Sequence, residues 1–201
     1  MSEVKVTPLW GGREDGGVCS LLELAGNRVL LDCGCTLGST RENVLAVAQR
    51  LAADGGVDCV LLSHADVHHM GALPILFGEG GLDPVPVFCT LPVQKFGQML
   101  LYDMCLNIEM EGTVLDDSSS SGTGAAGVVG AVSKLFTLDD IDRSLSRVVT
   151  VRYSQNVNFP DGAGAFHAGQ KQLHFCAYGA GRTIGGAVWR LRHGATEILC
   201  T

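Results

Sequence analysis

The feature that most constrains this chain is an apolar run, Val57-Asp58-Cys59-Val60-Leu61-Leu62-Ser63, that leads directly into His64-Ala65-Asp66-Val67-His68-His69. Such a run, with almost no polar face, is what a strand buried on both sides of a parallel sheet requires. A buried strand ending in a polar loop is where α/β proteins set their sites. Four side chains able to ligate a metal, His64, Asp66, His68 and His69, fall within six residues of the loop. Neutral imidazoles and carboxylates are the usual nitrogen and oxygen ligands of zinc. One histidine here would read as a helix cap; the cluster reads as descent from a metal site.

The flanking sequence supplies the rest of an α/β layout. Val4 to Thr7, Val18 to Leu24 and Arg28 to Asp32 are predicted strands, the last two separated by the turn signal Gly26-Asn27. Ser39-Thr40-Arg41-Glu42 fits a capping box with Ser39 as the cap. The helix behind it sets Val44, Val47, Ala48 and Leu51 on one stripe and stops at Gly55-Gly56. A short helix is predicted from Met70 to Phe77, a strand from Val85 to Cys89, and a helix from Thr90-Leu91-Pro92 to about Glu109. Asp116 to Ser133, rich in Ser and Gly, cannot bury a core and reads as a low-complexity, flexible surface insertion. Thr137-Leu138-Asp139-Asp140 opens another capped helix, to Leu145. Strands then follow at Val148 to Tyr153, Gln172 to Ala177, Ala187 to Leu191 and Glu197 to Thr201. The last stops without a turn or cap, as expected of an N-terminal fragment.

Composition narrows the classes. With 201 residues, 46% hydrophobic and 17% charged, the chain is globular and can enclose one substantial core. No apolar run approaches the ~20 residues of a membrane-spanning helix. The net charge is −7, and the densest basic stretch, Arg182 to Arg192, is mild, so tight nucleic-acid binding by this stretch alone is not expected. The eight cysteines sit mostly in apolar runs, where free cysteine behaves as a small buried hydrophobe. Reduced thiols and an intracellular setting are expected. Cys33-Gly34-Cys35 is too tightly spaced for a typical zinc pair.

Several segments, in order, carry a resemblance. Leu31-Asp32-Cys33-Gly34, Leu62-Ser63-His64 with His69-Met70-Gly71-Ala72-Leu73-Pro74, and Ala180-Gly181-Arg182-Thr183-Ile184-Gly185-Gly186 resemble the metallo-β-lactamase superfamily in its β-CASP branch of nucleic-acid-processing proteins. Gly97 to Asp103 and Phe136 to Asp142 narrow the resemblance to the polyadenylation-factor members of that branch. It implies an αββα sandwich of which residues 1–201 are the N-terminal half, with the β-CASP and C-terminal regions absent. It also implies a nuclear role in pre-mRNA 3′-end cleavage and polyadenylation. The partners would be a catalytic endonuclease subunit, scaffold subunits such as symplekin, and pre-mRNA reached through the complex. No membrane is implied.

Active members of the superfamily write the loop as His-x-His-x-Asp-His and hold two metals around an attacking water. Against that pattern His64 and His69 are kept. Asp66 stands where the second His belongs, His68 where the Asp belongs, and Arg182 where a later His ligand belongs. Asp66 and His68 remain competent donors. Arg182 is not, because a guanidinium is always charged and offers no lone pair. The expectation is therefore a pseudo-enzyme whose vestigial site is Asp32, His64, Asp66, His68, His69 and Arg182, without catalytic residues or cofactor. Arg182 is expected to pair with Asp66 or Asp32 and so fill the vacated metal position. The alternative is an active zinc-dependent RNA endonuclease or phosphodiesterase, with zinc on His64 and His69. A small-molecule hydrolase is a third reading, opposed by the segments around Gly97 and Thr137.

Overall fold

The structure, a computed structural model, describes residues 3–11, 16–36, 39–78, 80–82, 84–115, 135–159 and 172–200, the side chains of 107–115 excepted. The Ser/Gly segment from Asp116 to Ser133 lies outside the described residues. Six strands, β1 (Val4–Trp10), β2 (Cys19–Leu24), β3 (Asn27–Leu31), β4 (Cys59–Leu61), β5 (Val87–Thr90) and β6 (Val148–Val151), form one sheet in sequence order. β1, β2 and β3 pair antiparallel, and β3 to β6 run parallel. Parallel strands need crossovers, and the helices provide them. They are α1 (Arg41–Ala53), α2 (Val67–Met70), α3 (Leu73–Phe77), α4 (Leu91–Leu115) and α5 (Leu138–Leu145). A second, antiparallel sheet contains β7 (Val157–Phe159), β8 (Leu173–Gly179), β9 (Ala187–His193) and β10 (Thr196–Cys200), ordered β10-β9-β8-β7.

Period-2 alternation in the buried strands decides the layering. Val60 and Leu62 point to one face, packing with Val44, Ala48 and Leu51 of α1 and Ile75, Leu76 and Phe77 of α3. Cys59 and Leu61 point to the other, packing with Phe88, Leu173, Phe175, Trp189 and Leu191 between the sheets. Phe88, Phe175 and Trp189 meet edge to face at centroid distances of 4.9 and 5.9 Å, contacts worth about 0.5–1.5 kcal/mol each. Trp189 also donates its indole N–H to the Leu62 carbonyl at 3.1 Å. The result is helix, sheet, sheet: three of the four layers that the resemblance implies.

Several predicted boundaries move for local reasons. Ser39 is not the cap of α1, because its Oγ accepts from the Thr36 amide at 2.9 Å; Thr40 caps instead, accepting from the Asn43 amide. The single helix from Met70 to Phe77 is two, α2 and α3. The Cys33 carbonyl draws off the Ala72 amide at 2.8 Å, and a side chain at Gly71 would meet the Val67 carbonyl at 2.6 Å. The capping box at Thr137 forms as predicted, reciprocally with Asp140. β7, Val157-Asn158-Phe159, alternates apolar and polar as a strand does, but three residues are too few for the alternation to predict it. All eight cysteines are free, seven of them buried.

Candidate functional site at the end of β4

β3 and β4 end side by side, and the site is built on their continuations. Asp32 follows β3 in the left-handed region, φ +54°, and is buried at 4% exposure. That backbone turns its carboxylate across to β4, where Oδ1 accepts from the Ser63 amide and Oδ2 from the Ser63 hydroxyl, both at 2.7 Å. Having given its proton to Asp32, the Ser63 oxygen accepts from His64 Nδ1 at 2.8 Å. Direction along this relay assigns His64 the tautomer with its proton on Nδ1. Its Nε2 is then a bare acceptor, and this atom is buried without a hydrogen-bond partner.

Asp66 begins α2 at the cap position, yet its side chain makes no capping bond. It turns to the residue three positions on, and Oδ1 bonds His69 Nδ1 at 2.6 Å. Its Oδ2 lies 3.6 Å from an Arg182 guanidinium nitrogen, brought in by the loop between β8 and β9. The His64 and His69 rings stand 4.7 Å apart, tilted by 49°. The structure thus brings together Asp32, His64, Asp66, His69 and Arg182. His68 is not part of the group: its side chain is exposed, and its contribution is a carbonyl that accepts from the Val18 amide at 2.7 Å. Gly34 makes that approach possible, since a Cβ there would lie 1.6 Å from the His68 oxygen.

Charge follows geometry. Burial pushes the Asp32 carboxyl up to about 6, against the Ser63 hydrogen bonds and the His69 charge, which hold it down. Burial, with the charges of His69 and Arg182, lowers His64. The hydrogen bond to Asp66 raises His69 over the opposing cost of burial. Burial alone would raise Asp66, but the His69 hydrogen bond and the His69 and Arg182 charges outweigh it, so this carboxyl sits below its ordinary range. Asp66 is therefore an anion flanked by the His69 imidazole and the Arg182 guanidinium. The pairing with Arg182 is as expected from sequence, but its position is not. The Arg182 side chain is 59% exposed, so it caps the cluster from the rim rather than filling a buried hole, and a pair so wet is worth about 0–1 kcal/mol.

The donors as arranged do not fit a zinc ion. Asp32 is engaged by Ser63 and Asp66 by His69 and Arg182. Among the described residues no three His, Cys, Asp or Glu side chains converge to hold a metal. The bare, buried Nε2 of His64 has the character of a waiting ligand. Sequence reasoning missed the residues that shape the site from outside. Ser63 relays Asp32 to His64, Thr90 Oγ1 donates to the Gly185 carbonyl at 2.7 Å, and Tyr153 donates to the Gly186 carbonyl at 2.9 Å. Ser63 carried a signal, as a polar residue closing an apolar run; Thr90 and Tyr153 carried none.

Comparison with known proteins agrees with this architecture. "Cleavage and polyadenylation specificity factor subunit 2" of Oryza sativa subsp. japonica is 34% identical over 199 residues, 98% of this chain and 23% of that protein. "Probable cleavage and polyadenylation specificity factor subunit 2" of Caenorhabditis elegans is 31% identical over 191 residues, 94% of this chain and 19% of that one. "Integrator complex subunit 11" of Gallus gallus is 27% identical over 206 residues, 100% of this chain and 29% of that one. The chain thus spans about a fifth to a quarter of the length of the first two relatives. The metallo-beta-lactamase superfamily domain model matches residues 21–201. With helices on one face of paired sheets, a histidine loop at the end of β4 and that match from β2 onward, the chain belongs to the metallo-β-lactamase superfamily.

Proposed function

We propose that this chain is the N-terminal part of a non-catalytic subunit of the cleavage and polyadenylation machinery, acting in the nucleus on pre-mRNA 3′ ends. In this role the domain keeps the fold of a metal hydrolase and presents it to a catalytic endonuclease subunit and to scaffold subunits such as symplekin. It reaches RNA through the complex. The likeness to polyadenylation-factor subunits supports the pathway. The observation that carries the non-catalytic reading is Arg182, a residue without a lone pair, standing 3.6 Å from Asp66 at the site. A cation there repels a metal ion and occupies the carboxylate that would help to hold one.

The competing reading, a zinc-dependent RNA endonuclease of the β-CASP family, has one observation in its favour. His64 presents a buried, unpartnered Nε2 whose tautomer is fixed by Ser63 and Asp32, the arrangement that ligating histidines use. Elemental analysis of the purified protein, with RNA cleavage measured beside it, separates the two. The non-catalytic reading expects sub-stoichiometric zinc and no cleavage that depends on His64 and His69. Zinc near one equivalent, or cleavage abolished by His64→Ala and His69→Ala, would overturn it.

A further inference from the structure

The outer face of the second sheet carries a polar cavity of about 310 Å³ that the site at β4 does not use. Its side chains come from three adjoining strands. On β9, Arg190 and Arg192 lie two residues apart and so share a face. On β8, Cys176 is opposite Arg190 and His174 opposite Arg192. On β7, Asn158 is opposite His174, and Asn156 stands just before that strand. Among the described residues no carboxylate lines the cavity. The nearest acid along the sheet is Glu197, which faces Arg192 from β10.

Two features give this cavity a preference for anions. The Arg190 guanidinium is braced over the Tyr178 ring, 5.3 Å from its centroid, which limits its rotamers and directs its donors. Asn158 Oδ1 is engaged by His174 Nδ1 at 2.6 Å, so the amide's N–H groups are the part left for a ligand. Among the described residues neither Arg190 nor Arg192 is held in an ion pair. Glu197, opposite Arg192 across β9 and β10, offsets part of this charge, and two guanidiniums beside a polar hollow with amide donors still leave a net positive site in a chain of net charge −7.

We infer that this cavity is a phosphate-binding site, sized for one or two oxyanions of a phosphodiester backbone or for free phosphate. Guanidinium forks match phosphate geometry, and two of them on one strand suit adjacent phosphates. The site is weak by construction, which agrees with the absence of any larger basic cluster. It rests on β7, β8 and β9 rather than on the His64 loop. Its failure would leave the function proposed above untouched, and the reverse also holds.

The test is amide chemical-shift mapping of the 201-residue chain titrated with inorganic phosphate, a short oligouridylate, and an oligoglutamate of matched charge. Saturable shifts confined to residues around Asn158, His174, Arg190 and Arg192 are expected with the first two. Arg190→Gln with Arg192→Gln should weaken binding about tenfold or more. Arg192 is exposed, so Arg192→Gln alone gives a second variant that leaves the Arg190–Tyr178 packing in place. For the oligouridylate, affinity should fall with salt at a log–log slope of about −1.4 for two contacts, dropping to about −0.7 in Arg192→Gln. Saturation by oligouridylate with the expected slope assigns the backbone source; saturation by inorganic phosphate alone assigns the free ion. No saturable shift with either phosphate probe, shifts elsewhere, affinity unchanged in both variants, or equal binding of oligoglutamate would overturn the proposal.

Discussion

Asp32→Asn tests whether the carboxylate beneath the loop is a cost that the fold carries. Asparagine tolerates the left-handed backbone at φ +54°, so the chain path survives the change. Its carbonyl oxygen still accepts from the Ser63 amide, and its N–H donates to the Ser63 hydroxyl. In the native protein burial raises the Asp32 carboxyl from the ordinary 3.8 to about 6. The folded state therefore holds that proton more tightly than the unfolded chain does, and stability falls as pH rises through the interval between the two values. At 1.36 kcal/mol per pH unit the penalty grows from nothing near pH 4 to about 3 kcal/mol by pH 7. Urea unfolding followed by tryptophan fluorescence, with Trp189 buried in the core, gives the stability of both proteins at each pH. The difference, wild type minus Asp32→Asn, should drop by about 3 kcal/mol between pH 4 and 7. Groups that do not interact with Asp32 cancel in that difference, and His69, which Asp32 helps to raise, is followed separately by NMR. A difference that stays flat or rises with pH would refute the reasoning, because Asp32 would then not be destabilised by its burial.

Two further perturbations probe the same cluster. Gly186→Ala places a methyl 2.9 Å from His64 Cδ2, 3.0 Å from its Nε2 and 2.8 Å from Thr183 Oγ1; overpacking of this kind costs about 1–3 kcal/mol, and an unchanged thermal midpoint would contradict it. Asp66→Asn replaces the carboxylate that raises His69 with a neutral amide, so the His69 imidazole should titrate at lower pH by NMR. A histidine held above its ordinary value lends stability at low pH and loses it as pH rises through the folded value. The wild-type advantage over Asp66→Asn should therefore shrink across that range, and a His69 titration that does not move would disprove the pairing.

How much of this was legible in the sequence depends on the reach of the forces involved. The strand at Cys59–Leu61, its burial on both faces and the capped helix at Leu138–Leu145 follow from the apolar pattern and local capping chemistry, which a sequence displays directly; its place between helices and a second sheet is what the family resemblance implied. The start of α1 was misplaced by one residue because Ser39 had a competing partner in Thr36, a choice settled by the turn and not by residue type. β7 was missed because three residues are too few for the alternation of Val157, Asn158 and Phe159 to stand out; register with β8 specifies them. Of the site, the loop donors and the odd cation were readable. That Asp66 and not Asp32 meets Arg182 was left open, since it depends on how the loop between β8 and β9 docks on Thr90 and Tyr153.

The retained and altered parts of the loop differ in kind. What remains intact is the support: Asp32 held by Ser63, and Ser63 fixing the His64 tautomer. What has changed is the ring of donors that this support would orient, with Asp66 turned to His69 and Arg182, and His68 turned to solvent. The support is expensive, since it combines a buried carboxylate, a left-handed backbone and an unpartnered imidazole nitrogen. An apolar contact at Asp32 and Ser63 would stabilise the core more cheaply. The same relay also sets the path of the strand end onto which Ala187 docks, through its amide to the Ser63 carbonyl at 2.9 Å. That contact positions the loop carrying Arg182 and the exposed Ile184. On the non-catalytic reading, the surface so presented is what the cost sustains, and loss of partner binding on disturbing Ser63 would be its signature.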